Sequence, residues 1–546
     1  MKTRWLKALV ALGSGLLMGL APAPLNLWLL AWVALVPLWV WMAQPRRSGK
    51  PLTFLALLWG MGYHGLALSW ITGLHPLTWM GIPWLASLGI VLFCWLFITL
   101  WGAVMVLLWG WSLRWLGRLL PVAPWWRILA GTALWCGLEY LWGLGPLYWT
   151  ALAYTQSPHN LAILHLGQLS GPLTVSAAIV AVNGGIAEAW IHDQAHPRRL
   201  MPLNPSASNS QRHSLLNASS EILCRGLGGV VVLFVAVHLL GLWLYSRPLV
   251  QTPRDVLNIG IVQGNIPTRI KLSATGIQQA IAGYTSGYET LADQGVAAVL
   301  TPEGALPLLW EPQQLRGNPL YEAVLRQGVV LWLGTWLPQR NLTSADGSVP
   351  ITQSLLTITG TGEIFSHFNK IKLVPLGEYT PFAELLGGLM HRLSVSQSDL
   401  LPGSLSQHFD TPFGRAAVAI CYEVAFPDIL RDQVAAGGQF ILTASNVDPY
   451  SPIALSQHFA QATMRAIETD RWLVQATNTG YSGVIDPHGR IQWRSQHNVY
   501  AIHAATIQRR QTQTLYDHWG NWFTPLLLMV SLGSGGLLLV LKGSTR

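Results

Sequence analysis

Eight apolar runs constrain this chain more than any other feature. They lie near residues 6–20, 27–42, 53–74, 85–113, 126–144, 161–191, 226–245 and 522–541. A helix needs roughly 20 apolar residues to cross a hydrocarbon core, and all but the first two runs reach or approach that length. Charged residues make up only 10% of the 546, against about 25% in an average soluble domain. The chain therefore reads as a polytopic membrane protein with about eight spans. The first run continues through "GLLMGLAPAPLNLW" straight into the second, which favours a retained helix over a cleaved signal peptide.

Loop charge orients the spans, because cytoplasmic loops collect Lys and Arg. The N-terminus carries Lys2, Arg4 and Lys7, and the second loop Arg46, Arg47 and Lys50. The fourth carries Arg114, Arg118 and Arg127, and the sixth Arg198, Arg199, Arg212 and Arg225. The intervening loops "APAPLN", "HPLTWMGIP" and "GPLYWTALAYTQSPHN" hold no Lys or Arg. This alternation places both termini in the cytoplasm and everything between spans seven and eight on the opposite face. The formal charge of +9 is spread over short loops rather than gathered on one stripe, so nucleic acid is not an expected partner. The polar stretch "NPSASNSQRHSLLNASS" reads as a flexible cytoplasmic loop, and Glu139 inside "LWCGLEYLW" as a loop anchor at the interface rather than a functional charge. The 28 tryptophans, many near span ends, fit interfacial belts.

From about residue 253 to 513 the pattern changes. Short β-rich runs such as "VLNIGIVQGN", "AAVLTPEG", "VVLWLGTW", "AAVAICYE" and "QFILTASN" alternate with helix-length segments. Strands apolar along their whole length imply sheets covered on both faces, in an α/β or α-β-β-α layered domain. Three domains follow: a membrane domain of about seven helices over 1–250, an extramembrane domain over 251–513, and a last span with a short cytoplasmic tail over 514–546.

Three strand ends in the middle domain carry reactive groups. "AVLTPEGALPL" ends on Glu303, "FNKIKLVPLGEYTPF" spaces Lys370 and Glu378 around a Pro-Gly loop with Lys372 as a competing lysine, and "AICYEVAFPD" ends on Cys421. Taken singly these are a core thiol, a helix-start carboxylate and a solvated ammonium. Together they meet the needs of acyl transfer. A thiol needs a base, for which Glu303 is the candidate. The oxyanion needs donors, which Lys370 and the backbone N–H of Tyr422 could supply. The four cysteines, Cys94, Cys136, Cys224 and Cys421, show no ligand spacing, and the sixteen histidines no HxxxH pairing. No metal or other cofactor is expected, and His165 and His458 read as ordinary polar positions.

Glu303 in "PEG", Lys370 in "FNKIKL" and Cys421 in "ICYE", in that order, resemble the nitrilase (carbon-nitrogen hydrolase) superfamily. The succession of apolar spans, this domain and one closing span is similar, over nearly the whole chain, to its membrane-embedded branch, the apolipoprotein N-acyltransferase family. Further echoes are "LAWVALVPL", "VQGNIP", "MRAIETDR", "ATNTGYSGVIDPHGRI" and "TLYDHWGNWF". The resemblance implies a nitrilase-like α-β-β-α sandwich with Glu303 as general base, Lys370 as oxyanion stabiliser and Cys421 as nucleophile. It makes Glu378 and Glu423 site-shaping carboxylates and Tyr422 a lining residue. Where many members have Asn-Asp-x-Trp-Phe, this chain reads "ASNVDPYSP", so Asn446 and Tyr450 are expected to border the acyl or lipoprotein groove and substrate preference is where the chain departs. The implied reaction moves an acyl chain from a glycerophospholipid, through a Cys421 thioester, to the free α-amino group of a diacylglyceryl-cysteine apolipoprotein, with ping-pong kinetics. The implied setting is the inner membrane of a diderm bacterium, with the catalytic domain periplasmic and the protein monomeric. The rival enzyme reading is a membrane-anchored amidase or nitrile hydrolase acting on a small soluble substrate. A transporter with an external domain would need spans richer in ionisable groups, and a binding-only member would not need all three reactive residues.

Overall fold

The switch from apolar helices to β-rich runs divides the chain in the computed structural model into two compact units. One comprises Met1–Ser69, Phe93–Ser246 and Asn521–Arg546, the other Trp70–Leu92 and Arg247–Gly520. The structure describes residues 2–44, 52–119, 123–195, 209–249, 252–311, 314–340, 342, 349–375, 377–379 and 400–544, with backbone alone for 209–225. Arg46, Arg47, Lys50, Arg198 and Arg199, used above to orient the loops, lie outside the described residues.

Among the described residues, four helices are long and apolar enough to cross a membrane: Trp84–Arg118, Pro172–Gln194, Gly226–Tyr245 and Phe523–Lys542. The expected count of eight is not confirmed by these four, and two of the expected runs are interrupted. The run 27–42 breaks into a 3-10 turn, Trp28–Trp32, and a helix of eight residues, Val36–Ala43, that starts around Pro37. Asn183 satisfies the broken backbone, accepting from the Leu35 N–H at 3.0 Å and donating to the Ala31 carbonyl at 2.9 Å. An irregular backbone at membrane depth survives only where such partners bury it. The run 161–191 breaks at Gly171, whose φ is +73°, ahead of the helix Pro172–Ala195. The polar stretch read as a loop is helical from Asn209 onward, as part of Asn209–Tyr245; 204–208 lie outside the described residues.

Small residues let these helices approach. A Cβ at Gly15 would stand 2.1 Å from the Trp59 carbonyl oxygen, so only glycine lets the helices Lys2–Gly19 and Leu52–Ala67 meet backbone to backbone. Arg127 is buried rather than a free loop cation, and donates from Nε to Glu188 at 2.9 Å. Glu139 is also buried, and accepts from the Ser176 hydroxyl at 2.6 Å, the Trp135 indole at 2.9 Å and the Leu152 N–H at 3.2 Å. It anchors the 152–155 turn from inside the unit.

The second unit is built on two six-stranded sheets. One runs in the order β12-β1-β2-β3-β4-β5 and the other β11-β10-β9-β8-β7-β6. The strands are β1 Val256–Gln263, β2 Ala298–Leu300, β3 Val330–Pro338, β4 Ile351–Ile358, β5 Ile364–Asn369, β6 Phe409–Thr411, β7 Gly414–Ile420, β8 Ile441–Ser445, β9 Leu473–Thr477, β10 Gly483–Ile485, β11 Ile491–Arg494 and β12 Ala501–Gln508. Alternation along each strand assigns the layers. Val418 and Ile420 of β7 face inward to meet Ile259, Ile261, Leu300 and Trp332 between the sheets. Ala417 and Ala419 face outward against Leu430, Val434, Phe459 and Ala462, from the helices Pro427–Ala435 and Pro452–Glu468. On the other side, Tyr284, Tyr288 and Leu291 of the helix Ala274–Asp293 and Leu320 of Pro319–Gln327 cover Val299 and Leu331. The result is the expected α-β-β-α sandwich, and β8 and β9 are buried at every position because both faces are covered. Trp70–Leu92, which the sequence reads as the end of one span, a loop and the start of the next, packs within this unit: a Cβ at Gly73 would meet Ser451 at 2.7 Å.

Candidate active site

Four strands end at one place. β2 runs out into Thr301, Pro302 and Glu303, β5 into Lys370, β7 into Cys421 and β8 into Asn446. Strand termini are the rigid backbone on which α/β enzymes mount reacting groups. Lys370 is fully buried, and its ammonium donates to Glu303 Oε1 at 2.7 Å and to Glu378 Oε1 at 2.6 Å. Burial works against that charge, but Glu303 and Glu378 outweigh it and hold the amine well above the usual lysine range. The competing Lys372 instead lies over the Phe426 ring, 4.9 Å from its centre. The structure thus brings Lys370, not Lys372, to the two carboxylates.

Asn446 ties Glu303 and Cys421 together through its main chain. Its N–H donates to Glu303 Oε2 at 2.9 Å, and its carbonyl accepts the Cys421 thiol at 3.8 Å. Cys421 has φ +52°, a left-handed conformation uncommon for a residue with a side chain. It opens the short 3-10 turn Cys421–Ala425. Strain of this kind persists only where the surroundings enforce it. Here the buried His458 contributes, its Nε2–H donating to the Cys421 carbonyl at 3.1 Å. Burial lowers this imidazole to about 4, so it acts as a neutral donor.

Burial pushes the Cys421 thiol up, Glu303 and Glu378 adding to the effect and Lys370 opposing it. The resting site therefore holds a thiol beside a carboxylate rather than a preformed thiolate. Alkylation of Cys421 by iodoacetamide is expected to accelerate about tenfold per pH unit from pH 7 to 9, following the thiolate fraction. Peptide mapping by mass spectrometry reads this out, and a rate that levels off below pH 8 would contradict it.

Glu423 and Glu378 hold loops. Glu423 is fully buried and accepts main-chain N–H groups on both sides of the site: Ile420 at 2.6 Å, Lys372 at 3.0 Å, and Ile371. Burial pushes its carboxyl up to about 7, the three donors pulling the other way. It couples the turn at Cys421 to the residues that follow Lys370. Glu378 Oε2 accepts the Val374 N–H at 2.9 Å and closes the same loop. Of the motif "FNKIKLVPLGEYTPF", Leu376 and residues 380–382 lie outside the described residues. Glu423→Gln puts an N–H₂ against at least one of the three main-chain donors and is expected to destabilise the protein by about 2–3 kcal/mol. Thermal unfolding measures this, and an unchanged melting temperature would show that the carboxylate holds nothing.

The remaining expected residues sit around this centre. Tyr422 is half-buried with its ring edge-on to Phe426 at 5.0 Å. Asn446 donates from Nδ2 to Thr268 Oγ1 at 3.4 Å and accepts from Asn478 at 3.1 Å. Tyr450 packs edge-on against Trp70, 5.1 Å between ring centres. Asp448, out of place against the family motif, accepts the Thr268 N–H at 2.6 Å and starts the helical turn Thr268–Lys271.

Comparison with known proteins gives this geometry its context. Residues 14–185 match the family described as apolipoprotein N-acyltransferase N-terminal domain, and residues 258–517 match carbon-nitrogen hydrolase. A protein of Nostoc sp. named apolipoprotein N-acyltransferase is 51% identical over 94% of this chain and 96% of its own length. The chain belongs to the apolipoprotein N-acyltransferase family. A second apolipoprotein N-acyltransferase, from Synechocystis sp., is 45% identical over 94% of this chain and 97% of its own. Among solved structures, an amidase from Nesterenkonia sp. aligns at 17% identity and a TM-score of 0.35, covering 49% of this chain and 95% of that one.

Two site residues of this apolipoprotein N-acyltransferase family member escape a reading of the sequence. His458 sits mid-helix in "LSQHFAQ", and nothing local distinguishes it from a polar position. Lys271 follows the "VQGNIP" echo by four residues and looks like a surface charge. It is buried instead, with Nζ donating to the Glu303 carbonyl at 3.0 Å.

Proposed function

We propose that this protein transfers an acyl chain from a glycerophospholipid to the free α-amino group of a diacylglyceryl-cysteine apolipoprotein, through a thioester on Cys421. The observation that carries the mechanism is the buried set Glu303–Lys370–Cys421, linked through the main chain of Asn446. Glu303 Oε2 takes the thiol proton as sulfur attacks the ester carbonyl. The oxyanion meets Lys370 and the Tyr422 N–H. Two of the three ammonium donors of Lys370 are engaged by carboxylates, which leaves one for the developing charge. Lysophospholipid leaves with the proton from Glu303, and the acceptor amine, deprotonated by Glu303, then attacks the thioester.

One nucleophile serving two lipids implies ping-pong kinetics. Loop charge supports eight crossings, both termini in the cytoplasm and the catalytic domain in the periplasm, beside the outer leaflet where phospholipid esters abound. A cleft walled off from bulk water slows hydrolysis of the thioester. The small-substrate amidase reading finds less support, because the full-length relatives carry the N-acyltransferase name.

Intact-protein mass spectrometry after incubation with phospholipid alone tests this reading. The expected result is a hydroxylamine-sensitive mass gain of one acyl chain with stoichiometric lysophospholipid. Absence of any adduct on a protein whose thiol still reacts with alkylating reagents would overturn it.

A further inference from the structure

Beside Glu303 stand two buried N–H donors that the reaction above does not use. Lys271 ends the turn Thr268–Lys271, is 7% exposed, and spends one donor on the Glu303 carbonyl; an ammonium has three. Gln353 on β4 is 5% exposed. Its Oε1 accepts the Trp336 indole N–H at 2.6 Å, and its main-chain carbonyl accepts the Lys370 N–H at 2.8 Å. Its Nε2 has no hydrogen-bond partner among the described residues.

Both nitrogens face one spot. A Cβ placed on Gly304 would stand 3.3 Å from Lys271 Nζ and 3.4 Å from Gln353 Nε2. Gly304 has φ +53°, a conformation glycine adopts without strain, and its lack of a side chain lets both nitrogens pack close to its backbone. A buried donor left without an acceptor is costly, so Gln353 Nε2, with the remaining donors of Lys271 beside it, makes a seat for an oxygen.

We propose that Lys271 Nζ and Gln353 Nε2, across Gly304, bind a phosphodiester oxygen of the lipid acyl donor. The inference rests on the acyl-transfer reading above and adds a substrate contact to it. Charge selects the ligand. A cation and an amide donor together suit an anionic oxygen. The glycerophospholipid carries one, whereas the acceptor arrives with an amine that Lys271 repels. The reacting ester carbonyl is already served by Lys370 and the Tyr422 N–H. Glu303, Asp448 and Cys421 are the titratable groups that face Lys271. Burial lowers the amine to about 8, and these three groups favour its charged form.

The test compares acyl-enzyme formation from a phospholipid and from a diacylglycerol with the same chains, in full-length protein in detergent micelles. Wild type is expected to favour the phospholipid. Lys271→Met is expected to raise KM for the phospholipid about 10- to 100-fold with little change for the diacylglycerol, so the preference collapses. Gln353→Glu keeps the acceptor for Trp336 but sets a carboxylate against Lys271, and it should produce the same collapse; it decides the matter if Lys271→Met fails to fold. Equal losses on both donors, or no change on either, would overturn the proposal in favour of a structural lysine. A wild type that forms no acyl-enzyme would instead overturn the acyl-transfer reading itself.

Discussion

Cys421→Ala is expected to form no acyl-enzyme and to lose acyl transfer by at least about 10⁴-fold, the scale on which a covalent catalyst fails when its nucleophile is removed. The loss must fall on both half-reactions, because the same sulfur accepts the chain and then gives it up. The variant should remain folded. Among the described residues the sulfur makes one long hydrogen bond, to the Asn446 carbonyl at 3.8 Å, while the turn is held by main-chain bonds to Glu423 and His458 that alanine leaves in place. Mass spectrometry with phospholipid alone, paired with thermal unfolding, separates the two effects. Retained transfer in Cys421→Ala, or an adduct on Cys94, Cys136 or Cys224 in wild type, would remove Cys421 from the mechanism.

Lys370→Met is expected to lose activity by about 10³-fold or more, and also to destabilise the protein by about 3–5 kcal/mol. Methionine fills most of the lysine volume but leaves Glu303 and Glu378 buried in one pocket without their shared cation. One of them must then take up a proton. If Glu303 does so, the base is lost together with the oxyanion donor. The double variant Lys370→Met/Glu378→Gln removes one of the two stranded charges and should recover much of the melting temperature but none of the activity. Recovery of both would mean that Lys370 serves the fold alone.

Much of this site was legible from local pattern. The strands β2, β3 and β7 are apolar at most positions, and "VLTPEG", "FNKIK" and "AICYE" each show a strand running into a reactive residue. The helix breaks were less legible. A hydropathy run says how much apolar surface is present, not whether Pro37 or Gly171 interrupts the hydrogen-bond ladder beneath it. The choice between Lys370 and Lys372 also lay beyond the sequence, since two lysines two residues apart on a loop differ only in what faces them.

By itself, then, the sequence determined the membrane character of much of the first 250 residues, a layered α/β domain, and Glu303, Cys421 and a lysine of "FNKIK" as the candidate reacting groups. These follow from periodicity, composition and order along the chain. Only the tertiary structure decided that Glu423 ties two strand ends together, that His458 holds the backbone of the nucleophile, that Trp70–Leu92 packs with the sandwich, and that Lys271 is buried against Glu303. Each of these joins segments distant in sequence, or turns on burial of a charge. A lysine that is solvated and one that is desolvated beside a carboxylate share the same letter, and only packing sets them apart.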